Sequence, residues 1–146
     1  IFSRDSKAGT PSFLSPQRFQ NEAISETSEI FSIGVTLYLA LTKKYPYGEI
    51  EPFQTPTFKE AKKPNKYNGN IPDWLDSMIL RAISPGKERR YEHYSEMSYE
   101  LKSPKNVKPY FNENASLIER KPVLFYRVGF TIMTLLNMAL LVLLLK

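Results

Sequence analysis

The chain contains no cysteine and a single histidine, His93. Disulfides are therefore excluded, and the cysteine and histidine ligand sets of zinc and haem cannot be assembled. Metal chemistry would have to come from carboxylates. Internal repeats and low-complexity tracts are missing, and no stretch alternates convincingly between apolar and polar residues, which argues against solenoids and sheet-based folds. Basic residues are nowhere interleaved with aromatics in a binding pattern, so the net charge of +5 does not point to a nucleic-acid partner.

What is present fits one small domain: 146 residues, 42% of them hydrophobic and 24% charged, too apolar for wholesale disorder. The longest apolar run closes the chain. From Val123 it reads VLFYRVGFTIMTLLNMALLVLLLK, with Arg127 the one charge before Lys146. Its length of about 23 residues matches the hydrocarbon core of a bilayer, and the rest of the chain is too small and polar to wrap a helix that is apolar on all sides. A transmembrane helix is predicted over 123–145. Arg127, one turn inside, can snorkel to the headgroups beside the interfacial aromatics Phe125 and Tyr126. Arg120, Lys121 and Arg127 flank the entry side, so the positive-inside tendency leaves the preceding residues in the cytoplasm and makes the protein tail-anchored and single-pass. In that orientation Asn114-Ala115-Ser116 is a chance match to a glycosylation sequon.

Residues 102–122 read as a basic linker, because Pro104, Pro109 and Pro122 oppose a continuous helix. Its lysines either touch anionic lipid or solvate a plain tether. Residues 1–101 then carry the fold. Glu29 to Thr42 is almost wholly apolar from Ile30 onward, too short to span a membrane and suited to a helix buried on every side. Gly34 in its interior costs about 1 kcal/mol relative to alanine, which predicts a close approach by another backbone. Lys43 and Lys44 suit its negative end, and Tyr45-Pro46-Tyr47-Gly48 stops it. A second helix begins at Pro72-Asp73, with Leu75, Met78, Ile79, Ala82 and Ile83 on its core face. A third runs from Ser95, as N-cap, to about Leu101. The proline-rich stretch between the first two is a long surface excursion with one short helical turn at most. The fold class expected is mainly α.

Three stretches, AGTPSFLSPQRF (8–19), SEIFSIGVTLYLALTKKYPYG (28–48) and PDWLDSMILRAISPGKERRYEHYSEMSYEL (72–101), resemble in order and spacing the distal C-terminal lobe of a eukaryotic-like Ser/Thr protein kinase. The stretch YPYGEIEPFQTP followed by a membrane helix is similar to bacterial kinases fused behind a phosphatase of the metal-dependent 2C class. The resemblance implies that the opening loop ends an activation segment and forms the wall for a protein substrate. Thr10 would bond into the catalytic loop, and Phe13 and Leu14 would line the pocket for the residue after the phosphoacceptor. Ser15-Pro16-Gln17 stands where the family carries Ala-Pro-Glu, and Arg90 where it carries the arginine that pairs with that glutamate. Glu29 stands where the family has an aspartate that supports the catalytic loop. As ordinary residues, each of these positions could also be a polar helix cap.

The family's phosphoryl transfer needs a Gly-rich loop, a strand lysine, a catalytic-loop aspartate with its asparagine, and a metal-binding Asp-Phe-Gly. None is in these 146 residues, and Arg4-Asp5-Ser6 matches neither acidic motif. No ATP or magnesium site is expected in this chain, both being expected for a full-length kinase. The abrupt start at Ile1 reads as a cut within an activation loop. Two readings follow: the substrate-binding part of a membrane-anchored kinase whose N-lobe and catalytic loop lie upstream, or a non-catalytic remnant serving as a membrane-tethered docking module.

Overall fold

The computed structural model describes residues 10–111 and 116–145. Ile1 to Gly9, with the Arg4-Asp5-Ser6 stretch, and residues 112–115, with most of the sequon, lie outside the described residues. The described residues form helices and turns with no strand: α1 (Pro16–Phe19), α2 (Glu26–Thr42), α3 (Asp73–Ala82), α4 (Tyr94–Lys102), α5 (Leu117–Arg120) and α6 (Pro122–Leu144), with a 3-10 turn before α1 and one in each connection from α2 to α5. The chain divides into two compact units, the first ending at Tyr110 and the second starting at Phe111.

In the first unit α2 is the axis. It starts three residues before the expected Glu29, because Ser25 and Ser28 form a reciprocal capping box: Ser25 Oγ accepts the Ser28 N–H at 3.3 Å, and Ser28 Oγ accepts the Ser25 N–H at 2.9 Å. Two orphan donors are satisfied, and Glu26 and Glu29 face the positive end of the helix. It ends at Thr42, where Lys43 takes a left-handed conformation (φ 58°) and its N–H closes on the Leu39 carbonyl at 2.8 Å.

Ile30, Phe31, Val35 and Tyr38 of α2 are fully or almost fully buried, against Met78, Ile79 and Ala82 of α3 and Ile83. Each such large side chain contributes about 1.5–3 kcal/mol through area removed from water. Gly34 sits at the crossing. A Cβ there would lie 2.7 Å from Ile83 Cγ2, 2.8 Å from Ala82 Cβ and 3.3 Å from the Ala82 backbone carbon, so glycine is what lets the two helices close up. The burial of α2 is not complete, contrary to the expectation from its composition. Glu29, Ile33, Thr36 and Ala40, at helical spacing, form an exposed stripe. α3 and the loops cover only the other sides.

α3 begins with Pro72 as the flanking residue rather than in the first turn, and Ile83 is its C-cap. α4 begins at Tyr94, one residue before the expected cap Ser95. Its start is capped from outside: Glu26 Oε1 accepts the Tyr94 N–H at 2.6 Å, a bond between segments far apart in sequence that no local pattern signals. α4 is held to α3 by the Arg81–Glu100 ion pair at 2.9 Å, and Tyr91, in the segment between the two helices, donates its hydroxyl to Glu100 while Arg81 stacks over its ring.

The excursion between α2 and α3 carries one 3-10 turn, Pro64–Lys66, as expected. It is tied down rather than loose. The Tyr38 hydroxyl donates to the Lys62 carbonyl at 2.9 Å, and buried Asp76 accepts the Asn65 N–H at 2.9 Å. Burial raises the Asp76 carboxyl above its ordinary value. The compact unit also continues past residue 101, since Val107 and Tyr110 pack against the core and Arg89 lies over the Tyr110 ring. The first half of the stretch read as a linker is therefore part of the domain.

In the second unit, α6 runs Pro122–Leu144, one residue earlier at each end than the predicted span, with a mean hydropathy of 1.9. At about 1.5 Å rise per residue it is about 34 Å long, enough for a hydrocarbon core of about 30 Å.

Candidate functional site

The opening loop, a 3-10 turn at Pro11–Phe13 followed by α1, is fastened to the domain by three kinds of contact. Ser32 Oγ of α2 donates to the Phe13 carbonyl at 2.9 Å. The Ile50 N–H of the excursion donates to Ser12 Oγ at 2.9 Å. The Phe13 ring meets the Tyr45 ring edge-on at 5.8 Å between centroids. Ser12 and Ser32 were not singled out by sequence, and their only signal was being small hydroxyl residues in segments that turn out to be adjacent.

The remaining fastening is the buried cation of Arg90. Its Nη2 donates to Gln17 Oε1 at 2.6 Å and to the Pro85 carbonyl at 2.9 Å; its Nε donates to the Ser84 carbonyl at 2.6 Å, and its Nη1 to the Thr27 carbonyl at 3.1 Å. The guanidinium also lies 4.9 Å from the centroid of Phe31. Gln17 is used at both ends, because its Nε2 donates to the Pro85 carbonyl at 3.0 Å. Burial lowers the Arg90 guanidinium to about 10, which leaves it protonated at neutral pH. One buried cation thus gathers the opening loop, the first turn of α2 and the segment after α3 around a set of carbonyls, the planar multi-donor geometry for which arginine is suited.

The other sequence-selected residues separate. Phe13 turns inward and packs on the core, whereas Leu14 lines a surface cleft of about 400 Å³ with Pro11, Phe19, Glu51, Pro52, Phe53, Gln54 and Thr55. Phe13 is not among the residues that line this cleft. Phe53 is fully exposed at the rim, in a left-handed conformation (φ 67°). Thr10 is exposed and its carbonyl accepts the Phe13 N–H at 3.0 Å. Glu29 is exposed on the open stripe of α2. No group of three or more potential metal ligands occurs among the described residues.

Ser15 and Ser84 flank this knot, and their hydroxyls are buried without a hydrogen-bond partner among the described residues. A second polar link, between Glu26 and His93, sits at the edge of the same region: His93 Nδ1 lies 3.1 Å from Glu26 Oε2. The Tyr94 N–H and then His93 hold the Glu26 carboxyl below its ordinary value, and the bond to Glu26 raises His93.

No family model matches the chain. Among curated proteins it is 35% identical over 102 residues to the "Probable serine/threonine-protein kinase" of Clostridium acetobutylicum, covering 67% of this chain and 15% of that protein. It is 29% identical over 98 residues to the serine/threonine-protein kinase PknD of Chlamydia caviae, covering 64% and 10%. It is 26% identical over 97 residues to the serine/threonine-protein kinase PknB of Mycolicibacterium smegmatis, covering 64% and 15%. The chain thus spans only a small part of the length of these relatives. About two thirds of it is homologous to bacterial serine/threonine protein kinases, and its helical domain with an apolar C-terminal helix fits a fragment of a kinase C-terminal lobe.

Proposed function

We propose that this chain is the substrate-binding, distal portion of the C-terminal lobe of a membrane-anchored Ser/Thr kinase, which in full transfers a phosphoryl group from ATP, with magnesium, to protein hydroxyls. The observation that carries the reading is the Arg90 knot. It ties Gln17 to the segment after α3 and so supports Leu14 and Pro11 as one wall of an open cleft. Thr10, exposed just before that wall, is available to the catalytic loop of an upstream half. The exposed stripe that begins at Glu29 supports the same reading. A helix otherwise packed on apolar neighbours leaves one face where the remainder of the lobe would cover it. The apolar helix α6 is the proposed anchor, with Arg120, Lys121 and Arg127 keeping the first unit in the cytoplasm. The alternative, a non-catalytic docking module, differs in what is encoded upstream: His-Arg-Asp and Asp-Phe-Gly motifs immediately before Ile1 distinguish a kinase from a remnant.

The binding test uses the full chain in detergent micelles and fluorescent peptides that carry serine followed by leucine or by aspartate. The leucine peptide should bind roughly tenfold more tightly, and Leu14→Asp should remove the difference, as expected for one apolar side chain moved from water to a pocket. Equal binding of both peptides would overturn the substrate role. Resistance to alkaline carbonate extraction, lost on deletion after Pro122, checks the anchor.

A further inference from the structure

α6 is not uniformly apolar. Arg127, Thr131, Thr134 and Asn137 lie within an arc of roughly 120° at 3.6 residues per turn. The two threonines have spent their donors within the helix: Thr131 Oγ1 donates to the Val128 carbonyl and Thr134 Oγ1 to the Thr131 carbonyl, both at 2.8 Å. Asn137 has not. Its Nδ2 donates once, to the Met133 carbonyl at 2.8 Å, and an amide side chain has a second N–H and a carbonyl oxygen still to place. In a hydrocarbon environment there is no water to take them. The helix also contains no acidic residue.

Resting on the reading of α6 as a membrane span, we propose that the Asn137 face is a self-association surface whose occupant is α6 of a second copy of this chain, packed in parallel. The argument for a second copy is complementarity. All copies enter the membrane with the same orientation, so Asn137 meets Asn137 at the same depth, and each amide supplies the donor and the acceptor that the other lacks. A two-fold pair of this kind satisfies both side chains with one residue type. Thr134, one turn earlier, is small enough on this face to let the backbones approach, and Phe130 and Leu141 extend the seam one turn further at each end.

The native chain has no cysteine, so single-cysteine variants report position without background. The full chain is reconstituted in phosphatidylcholine vesicles, washed with carbonate, and oxidised with cysteine placed in turn at each position from 130 to 141 except 137. Cross-linked dimer is expected to peak at 130, 134 and 141 and to be least at 132, 135 and 139. With cysteine fixed at 134, Asn137→Leu should weaken association roughly five- to thirtyfold, while Asn137→Gln should retain it. Carbonate-resistant chain that cross-links nowhere, or best at 132, 135 and 139, overturns the proposal and leaves the membrane reading intact. Release of the chain by carbonate overturns both.

Discussion

Gln17 Oε1 accepts a hydrogen bond from Arg90 Nη2 at 2.6 Å across 73 positions of chain, while Gln17 Nε2 donates to the Pro85 carbonyl. Because both ends of the amide are used, the two obvious substitutions should behave differently. Gln17→Leu strands part of a buried guanidinium and should cost about 1–3 kcal/mol. Gln17→Glu turns the bond to Arg90 into an ion pair but loses the donor to Pro85, whose carbonyl keeps Arg90 Nη2. Its stability should stay within about 1 kcal/mol of the parent. Denaturant unfolding of both variants checks the order, and equal losses would mean that the charge of Arg90 is not what the loop is built around.

Ser15 offers a gain instead. Its hydroxyl is fully buried with no partner among the described residues, in a position where the kinase pattern has alanine. Ser15→Ala should stabilise the domain by about 0.5–2 kcal/mol, since an unpaired polar group is removed with little change of volume. A fall in Tm would show that the hydroxyl has a partner.

Gly34→Ala sets two effects against each other. Alanine favours the helix by about 1 kcal/mol. The added Cβ, however, meets Ile83 Cγ2 and Ala82 Cβ at 2.7 and 2.8 Å, and prising α2 from α3 costs about 1–3 kcal/mol. Net destabilisation is expected, read as a lower Tm. An unchanged or higher Tm would mean that α3 moves freely.

The Glu26–His93 link has a defined pH window. His93 is raised from 6.5 by its bond to Glu26, so its contribution is complete below about 6.5 and is lost as pH rises through the higher folded value. Glu26 is lowered from 4.5, chiefly by the Tyr94 N–H, so its contribution is present above about 4.5 and is lost as pH falls through the lower folded value. The link is therefore strongest between these limits. Titration of the His93 ring by NMR should give a midpoint above 6.5 that drops in Glu26→Gln; a midpoint unmoved by that change would separate the two residues.

Much of the architecture follows from short-range properties of the chain. The apolar runs at Ile30–Thr42 and Val123–Leu145, the prolines at 72 and 104, and the core spacing of Leu75, Met78 and Ile79 act over one or two turns, so periodicity and length are enough to place α2, α3 and α6 within a few residues. The true start of α2 was also local, but its capping box uses Ser28 where the usual pattern has Glu or Gln. The close approach at Gly34 was legible because glycine inside an apolar helix is costly without such a reason. Tertiary structure alone decided the rest. That Glu26 caps α4, that Ser12 meets Ile50, that Phe13 turns to the core while Leu14 faces the cleft, and that Val107 and Tyr110 belong to the domain all depend on segments tens of residues apart being brought together. Such meetings are set by how α2 and α3 pack, and a hydrogen-bond donor in sequence does not indicate which distant carbonyl it will find.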